Sequence, residues 1–195
     1  MRKLPLSALA FAAFSLAPVA ARAEAKILYQ QSIRGGVSTD AVGVSVPSAD
    51  AESKFTSPES KLAVRIPKTA TIEKAFLLVH ADFKGFPASY DPGTRVKLND
   101  KLLSGASAPV QMSESSDASS PGNRVFAYDV TAGFGIVQTA TGSIEATTAE
   151  AGGSDPLTPN IGAFGVSGEQ LIVVFRDEKL TQFRQVSIVG LGLDN

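Results

Sequence analysis

The stretch Ile72-Glu-Lys-Ala-Phe-Leu-Leu-Val-His-Ala-Asp-Phe83 contains the densest apolar run of the chain after its first residues. In a strand, the alternate residues from Ala75 to Ala81 point one way, and Phe76 and Leu78 point the other way. Neither face suits water, so the strand belongs in the middle of a sheet that is covered on both sides. Because the segments available to cover it also read as strands, the sequence predicts a β-sandwich.

Shorter strands flank this stretch in the sequence. Lys61–Ile66 alternates cleanly between apolar and charged residues, so one of its faces is wet. Lys26–Ile33 predicts a first strand that ends at Gly35-Gly36, and Gln170–Phe175 is apolar enough to be central. A charged turn and the return strand Phe183–Val189 then predict a terminal hairpin. The pattern predicts an all-β, jelly-roll-like antiparallel sandwich of roughly nine or ten strands with minimal helix.

Residues 1–23 have the features of a secretory signal peptide. A positively charged start and an apolar run from Leu4 to Val19 precede Ala21-Arg-Ala23, the small-residue pattern that signal peptidase cuts. We expect cleavage before Glu24, which leaves residues 24–195 as a single β-sandwich domain. The alternative is an uncleaved N-terminal anchor. Export predicts a periplasmic or extracellular location.

Charge and cysteine content exclude several classes of protein. Of 18 basic side chains, three lie in the predicted signal peptide, which leaves 15 against 19 acidic ones. The charges are interspersed along the sequence, without the basic stripe of a nucleic-acid binder or the polybasic patch of a membrane-surface protein. Cysteine is absent, which excludes disulfides, thiolate metal sites and cysteine nucleophiles. No later apolar segment reaches the roughly 20 residues of a membrane span.

Four segments follow one another in an order that can be compared with known domains: Lys74–Val79, Val96–Asp100, Phe126–Thr131 and Gly168–Phe175. An apolar strand, a Val-x-Leu-Asn strand and turn, a Phe-x-Tyr-Asp-Val-Thr strand end and a final apolar strand resemble the galactose-binding-like jelly-roll sandwiches of secreted bacterial proteins. The order also resembles that of bacterial surface domains of unassigned function. The resemblance covers about Ile72 to Val189 and implies a sandwich fold and a carbohydrate ligand, although fold alone does not fix function.

One turn-rich segment contains three aromatic residues, Phe83, Phe86 and Tyr90. Exposed aromatic rings stack on sugars or anchor partner proteins, so these three residues are the candidate ligand-binding residues. The alternative is that the rings plug the open end of the sandwich, because apolar rings are usually buried.

Acidic and amide side chains cluster in sequence around one predicted strand. Asp82, Asp91, Asn99 and Asp100 are candidate ligands of a structural calcium ion, although they lack EF-hand spacing. Asp82 and Asp91 are also the candidate acid pair of a hydrolase. The alternative is that these residues form turns, since Asp91-Pro-Gly93 is ordinary turn chemistry and Asn99-Asp100 is a turn signal.

Other polar residues predict structural roles. His80 is the only histidine, and without a placed nucleophile it is expected to pack at the end of the sandwich. Asp129 and Thr131 are expected to cap a short turn of helix. No Gly-x-Ser-x-Gly elbow occurs, so no catalytic residue is assigned.

These observations favour an exported, non-catalytic β-sandwich that binds a polysaccharide or a cell-surface protein through loops at one end. The second hypothesis is a structural subunit of a surface assembly, in which Lys26–Ile33 pairs with the sheet edge of a neighbour. The third is the hydrolase with a loop carboxylate pair. We expect no nucleic-acid partner, no membrane span and no cofactor other than the structural calcium ion.

Overall fold

Strands form wherever apolar residues alternate or run together along this chain. The computed structural model describes residues 23–43, 59–83, 91–115, 122–150 and 165–193. Within them lie two short 3₁₀ turns, Pro92–Thr94 and Leu103–Gly105, and eleven strands. The strands are β1 (Ala23–Ile33), β2 (Gly35–Gly43), β3 (Ser60–Arg65), β4 (Thr71–Phe83), β5 (Val96–Leu98), β6 (Lys101–Leu102), β7 (Val110–Ser115), β8 (Gly122–Asp129), β9 (Ser143–Glu150), β10 (Gly165–Arg176) and β11 (Arg184–Leu193). The predicted all-β class is confirmed.

Strand pairing follows a nested order. A five-stranded sheet has the order β2-β10-β4-β8-β7, and a four-stranded sheet has the order β3-β9-β5-β6. The early strand β2 pairs with the late strand β10, β3 pairs with β9, and β4 pairs with β8, all antiparallel. The chain therefore resembles a long hairpin wrapped between two sheets, which is a jelly-roll-like sandwich.

The main core lies between these two sheets. On β4, which occupies the middle of the five-stranded sheet, Ala75, Leu77, Val79 and Ala81 are buried in this core. The other strands contribute Leu62, Val64, Val96, Leu98, Phe126, Tyr128, Ile144, Ala146, Leu171 and Val173. The predicted central position of β4 is confirmed.

A second core covers the opposite face of the five-stranded sheet. Strands β1 and β11 pair with each other in a two-stranded sheet, which we call the ribbon. The ribbon packs Tyr29, Ile33 and Val186 against Phe76 of β4 and against β10. The alternate residues of β4 thus enter two separate cores, and this explains why neither face of the strand is polar.

The predicted first strand, Lys26–Ile33, is confirmed as part of β1, but Gly35-Gly36 is not the break that ends it. Strand β1 ends at Ile33, and Gly35 is already the first residue of β2. A Cβ atom at position 35 would lie 1.8 Å from the carbonyl oxygen of Phe175. The glycine therefore permits a close approach between backbones rather than a turn.

The predicted terminal hairpin is also wrong, although both of its strands exist. Strand β10 pairs with β2 on one side and with β4 on the other. Because both edges of β10 are occupied, β11 has no place beside it. Strand β11 crosses to the outer layer and pairs with β1.

The two ends of the sandwich can be told apart by the direction of β4. We call the end where β4 begins the lower end and the end where it finishes, at Phe83, the upper end. Gly35 and Arg176 pair at the lower end, next to Thr71. Four connections at the lower end are described throughout: Arg34 and residues 66–70, 130–142 and 177–183.

Candidate functional site

A buried carboxylate organises the lower end. Asp177 is 4% exposed, and its Oδ1 and Oδ2 accept the hydroxyl hydrogen bond of Thr69 at 3.0 and 3.1 Å. Its Oδ1 also accepts the backbone N–H of Lys179 at 3.0 Å, as an aspartate does when it begins a turn. The backbone N–H of Asp177 donates to the carbonyl oxygen of Arg34 at 2.7 Å. One residue thus ties three of the lower connections together.

An exposed aromatic ring lies against Arg34, whose backbone carbonyl oxygen binds Asp177. The guanidinium carbon of Arg34 lies 4.9 Å from the centroid of the Phe183 ring, within the range of a cation–π contact. The Phe183 side chain remains 62% exposed. Arg34 therefore holds the ring on one side and leaves much of it open to solvent.

Four cations belong to the connections that meet at Asp177 or lie next to them in the sequence. Arg184 begins β11 directly across from Ile33, the neighbour of Arg34, while Lys68 precedes Thr69 and Lys179 follows Asp177 by two residues. Arg34, Lys68, Lys179 and Arg184 are exposed, and none of them forms an ion pair within the described part of the chain.

We call these four cations together with Phe183 the basic-aromatic surface. Two acidic groups lie in the same connection, the buried Asp177 and the exposed Glu178, and they offset two of these four charges. Arginine and lysine bind carboxylates, sulfates and phosphates, and an aromatic ring packs on the apolar face of a sugar. This surface therefore has the chemistry to bind an anionic carbohydrate.

Sequence reasoning missed this surface. Phe183 was predicted only as the start of a strand, and the cations are interspersed when read along the sequence. The available signal was a lone aromatic residue in the polar stretch Thr181–Gln185. Only the fold brings this stretch next to Arg34.

The predicted ligand-binding residues lie at the end of β4 or outside the described residues. Phe83 is the last residue of β4, at the upper end, and its side chain is not described. Phe86 and Tyr90 lie outside the described residues. Their role in binding stays a prediction.

Two of the predicted calcium ligands form structural hydrogen bonds. Asp91 Oδ1 accepts the N–H of Gly93 at 2.7 Å and the hydroxyl of Tyr128 at 2.6 Å, which caps the turn Pro92–Thr94. Asn99 donates to the carbonyl oxygen of Phe134 at 2.8 Å and accepts the N–H of Thr147 at 2.9 Å.

The other two calcium candidates are Asp100 and Asp82. Asp100 is exposed and forms the predicted turn with Asn99, at φ angles of 63° and 47°. Asp82 belongs to β4, but its side chain is not described. Among the residues whose side chains are described, no three His, Cys, Asp or Glu groups come together as metal ligands. The calcium site and the Asp82–Asp91 acid pair stay predictions.

Asp129 and Thr131 lock β8 to β4, as a structural role requires. Asp129 accepts the N–H of Thr131 at 3.0 Å and the ammonium of Lys74 at 2.7 Å, and Thr131 accepts the N–H of Ala75 at 3.0 Å. Burial opposes ionisation of Asp129, but the hydrogen bonds from Lys74 and Thr131 outweigh it and lower the pKa. The predicted short turn of helix is wrong: the described residues 130–142 contain no helix, and Gly133 and Gly135 have positive φ angles of 85° and 69°, which do not fit a right-handed helix.

His80 lies half-buried near the upper end of β4. Within the described residues, no helix is long and apolar enough to cross a membrane. Comparison of the chain with protein-family models, with curated proteins and with solved structures found no match. The case for a function therefore depends on the sequence and the geometry of this chain.

Proposed function

We propose that this protein is an exported, non-catalytic β-sandwich module that binds an acidic polysaccharide on its basic-aromatic surface. The observation that carries the proposal is the contact between Arg34 and Phe183, which holds an exposed ring against one of four exposed cations that form no ion pair among the described residues.

The Phe183 ring supplies the apolar part of the site. A ring that is 62% exposed on a well-bonded connection loses little conformational freedom when a ligand packs on it. Arg34 contacts both ends of the connection 177–183: its carbonyl oxygen accepts the backbone N–H of Asp177, and its guanidinium group packs on Phe183. Such a ring suits the flat C–H face of a pyranose.

The four cations select for negative charge. Arg34 and Arg184 offer planar guanidinium groups that can bind a carboxylate or a sulfate with two hydrogen bonds. Since the chain as a whole has 19 acidic and 18 basic groups, this end is positive against a slightly negative background. An acidic polymer is therefore favoured over a neutral one, and salt is expected to weaken its binding.

Two features of the sequence support the same function. The signal peptide expected over residues 1–23 would bring the protein to the envelope or the medium, where acidic polysaccharides occur. The resemblance to galactose-binding-like domains points to a sugar, and this chain offers Phe183 as the ring for it. The alternative site is the predicted aromatic segment with Phe83, Phe86 and Tyr90.

The test is affinity electrophoresis of the chain from Glu24 in gels that contain polygalacturonate or, for comparison, neutral dextran. We expect retardation by polygalacturonate only. The variant Phe183→Ala should weaken this retardation about tenfold, as for a central aromatic contact. Arg184→Gln should weaken it less, and added salt should weaken it further.

Matched variants separate the surface from general effects. Val137→Ala also shortens an exposed apolar side chain at the lower end, and Lys61→Gln also removes an exposed cation, from β3. Both should bind like the unchanged protein. Equal retardation by dextran, or full binding by Phe183→Ala, would overturn the proposal. Loss of binding in Phe86→Ala and Tyr90→Ala but not in Phe183→Ala would assign the site to the predicted segment instead.

A further inference from the structure

The ribbon is joined to the five-stranded sheet at the lower end. Strand β1 leads into β2 through Arg34 alone, and β10 leads into β11 through residues 177–183. From there the ribbon crosses the outer face of the sheet as far as β7, where Gly190 lies so close to Met112 that a Cβ atom would not fit between them. The ribbon thus has the connectivity of a two-stranded flap with its hinge at the lower end.

The contacts that hold this flap on the sheet are few. The outer core has six buried residues, against 21 in the main core. Arg176 adds one hydrogen bond across the two layers, to Gln31 of β1 at 2.9 Å. A layer with few buried apolar contacts opens at a lower free energy than the whole fold unfolds. We therefore expect the ribbon to leave the sheet while the sandwich stays folded.

The hinge contains the basic-aromatic surface. On the side of the sheet, the backbone N–H of Asp177 donates to the carbonyl oxygen of Arg34 at 2.7 Å, and Asp177 Oδ1 accepts the N–H of Lys179 at 3.0 Å. On the side of the ribbon, Phe183 directly precedes Arg184, the first residue of β11. The guanidinium group of Arg34 crosses from one side to the other and packs on the Phe183 ring. Opening of the flap therefore moves Phe183 and Arg184 relative to Lys179 and the main chain of Arg34.

We propose that an acidic polysaccharide bound to the basic-aromatic surface holds the ribbon closed. This inference rests on the proposed function, because it takes the same ligand at the same surface. A chain that packs on Phe183 and pairs its carboxylates with Arg34 and Lys179 spans the hinge, so it keeps all of these contacts only while the ribbon lies on the sheet. A ligand with a higher affinity for one of two states shifts the population toward that state. Occupancy of the surface thus controls how often β1 and β11 leave the sheet.

The test is amide hydrogen exchange of the chain from Glu24, followed by mass spectrometry with and without polygalacturonate. At a ligand concentration of about 100 times the dissociation constant, exchange in β1 and β11 should slow at least about tenfold, and about 100-fold if the open state loses all affinity. Exchange in β4 and β8 should not change. Neutral dextran should slow none of the four strands.

Variants separate the hinge from general effects. Phe183→Ala should lose most of the slowing, and Val137→Ala, which shortens another exposed apolar side chain at the lower end, should keep it. Ile33→Ala weakens the outer core and makes opening more frequent. It should show the same slowing factor as the unchanged protein, because this factor depends on the affinities of the closed and open states and not on how often the ribbon opens.

Two kinds of failure can be told apart. If polygalacturonate retards the protein but leaves exchange in β1 and β11 unchanged, or slows all four strands equally, the coupling is overturned and the proposed function stands. If polygalacturonate does not retard the protein, the proposed function is overturned and this inference with it.

Discussion

The two faces of the five-stranded sheet are packed to very different extents. On the inner face, 21 described residues from both sheets of the sandwich form one buried core. On the outer face, six buried residues lie between the sheet and the two-stranded ribbon. Strand β4 serves both cores, with Leu77 on one side and Phe76 on the other. We therefore expect the inner face to carry most of the stability of the fold and the outer layer to open separately.

The first prediction tests the inner face. Leu77 is fully buried in the main core, so Leu77→Ala should lower the free energy of unfolding by about 3 kcal/mol through lost burial and a residual cavity. Urea unfolding followed by circular dichroism measures this change. Leu78→Ala, on the half-buried outer side of the same strand, should lower it by no more than about half as much. Equal losses would mean that the two faces contribute alike.

The second prediction tests whether the ribbon opens separately. Ile33 is fully buried beneath the ribbon, so Ile33→Ala should weaken the outer core by about 2 kcal/mol. Amide hydrogen exchange should then speed up in β1 and β11 and stay nearly unchanged in β4 and β8. An increase of equal size in all four strands would show that the ribbon and the sandwich unfold together.

Alternation of side chains was enough to predict much of the sandwich. Strand β3 has the solvent-exposed face and the buried face that were predicted for Lys61–Ile66. The predicted turn at Asn99-Asp100 joins β5 to β6. These features depend on residues close together in sequence, where burial and turn chemistry decide the conformation. Local signals of this kind are therefore readable from one sequence.

Features that depend on distant partners could not be read in this way. The hairpin prediction failed because β2 and β4 occupy both edges of β10, which no local pattern reveals. Nothing in the sequence predicted that the acidic side chain of Glu169 would be buried. It is only 2% exposed and lies on the inward side of β10. The basic-aromatic surface likewise exists only because the connections around Asp177 meet at one end.

The smallest predicted effect concerns the ion pair at the margin of the ribbon. Arg176 binds Glu73 with two hydrogen bonds, of 2.6 and 2.8 Å, and also donates to Gln31 of β1 at 2.9 Å. The pairing of β4 with β10 shifts register at Glu73. A bulge of this kind changes the direction of the side chains next to it. Arg176 can thereby link the sheet to the ribbon.

This link predicts the pH dependence of ribbon opening. The hydrogen bond from Arg176 lowers the pKa of Glu73 from its usual 4.5, so the unfolded state binds more protons than the folded one, and protonation of Glu73 weakens its hold on the Arg176 side chain that donates to Gln31 of β1. The stabilisation is therefore complete above the usual pKa and is lost as the pH falls through the lower, folded value. Amide exchange in β1 of the unchanged protein should accelerate from about pH 5 to 3, after correction for the intrinsic rate. Glu73→Gln should start from faster exchange and depend less on pH, because its amide does not titrate. Parallel pH profiles for the two proteins would mean that the pair does not hold the ribbon, and the looser packing of the outer core alone would then set how easily it opens.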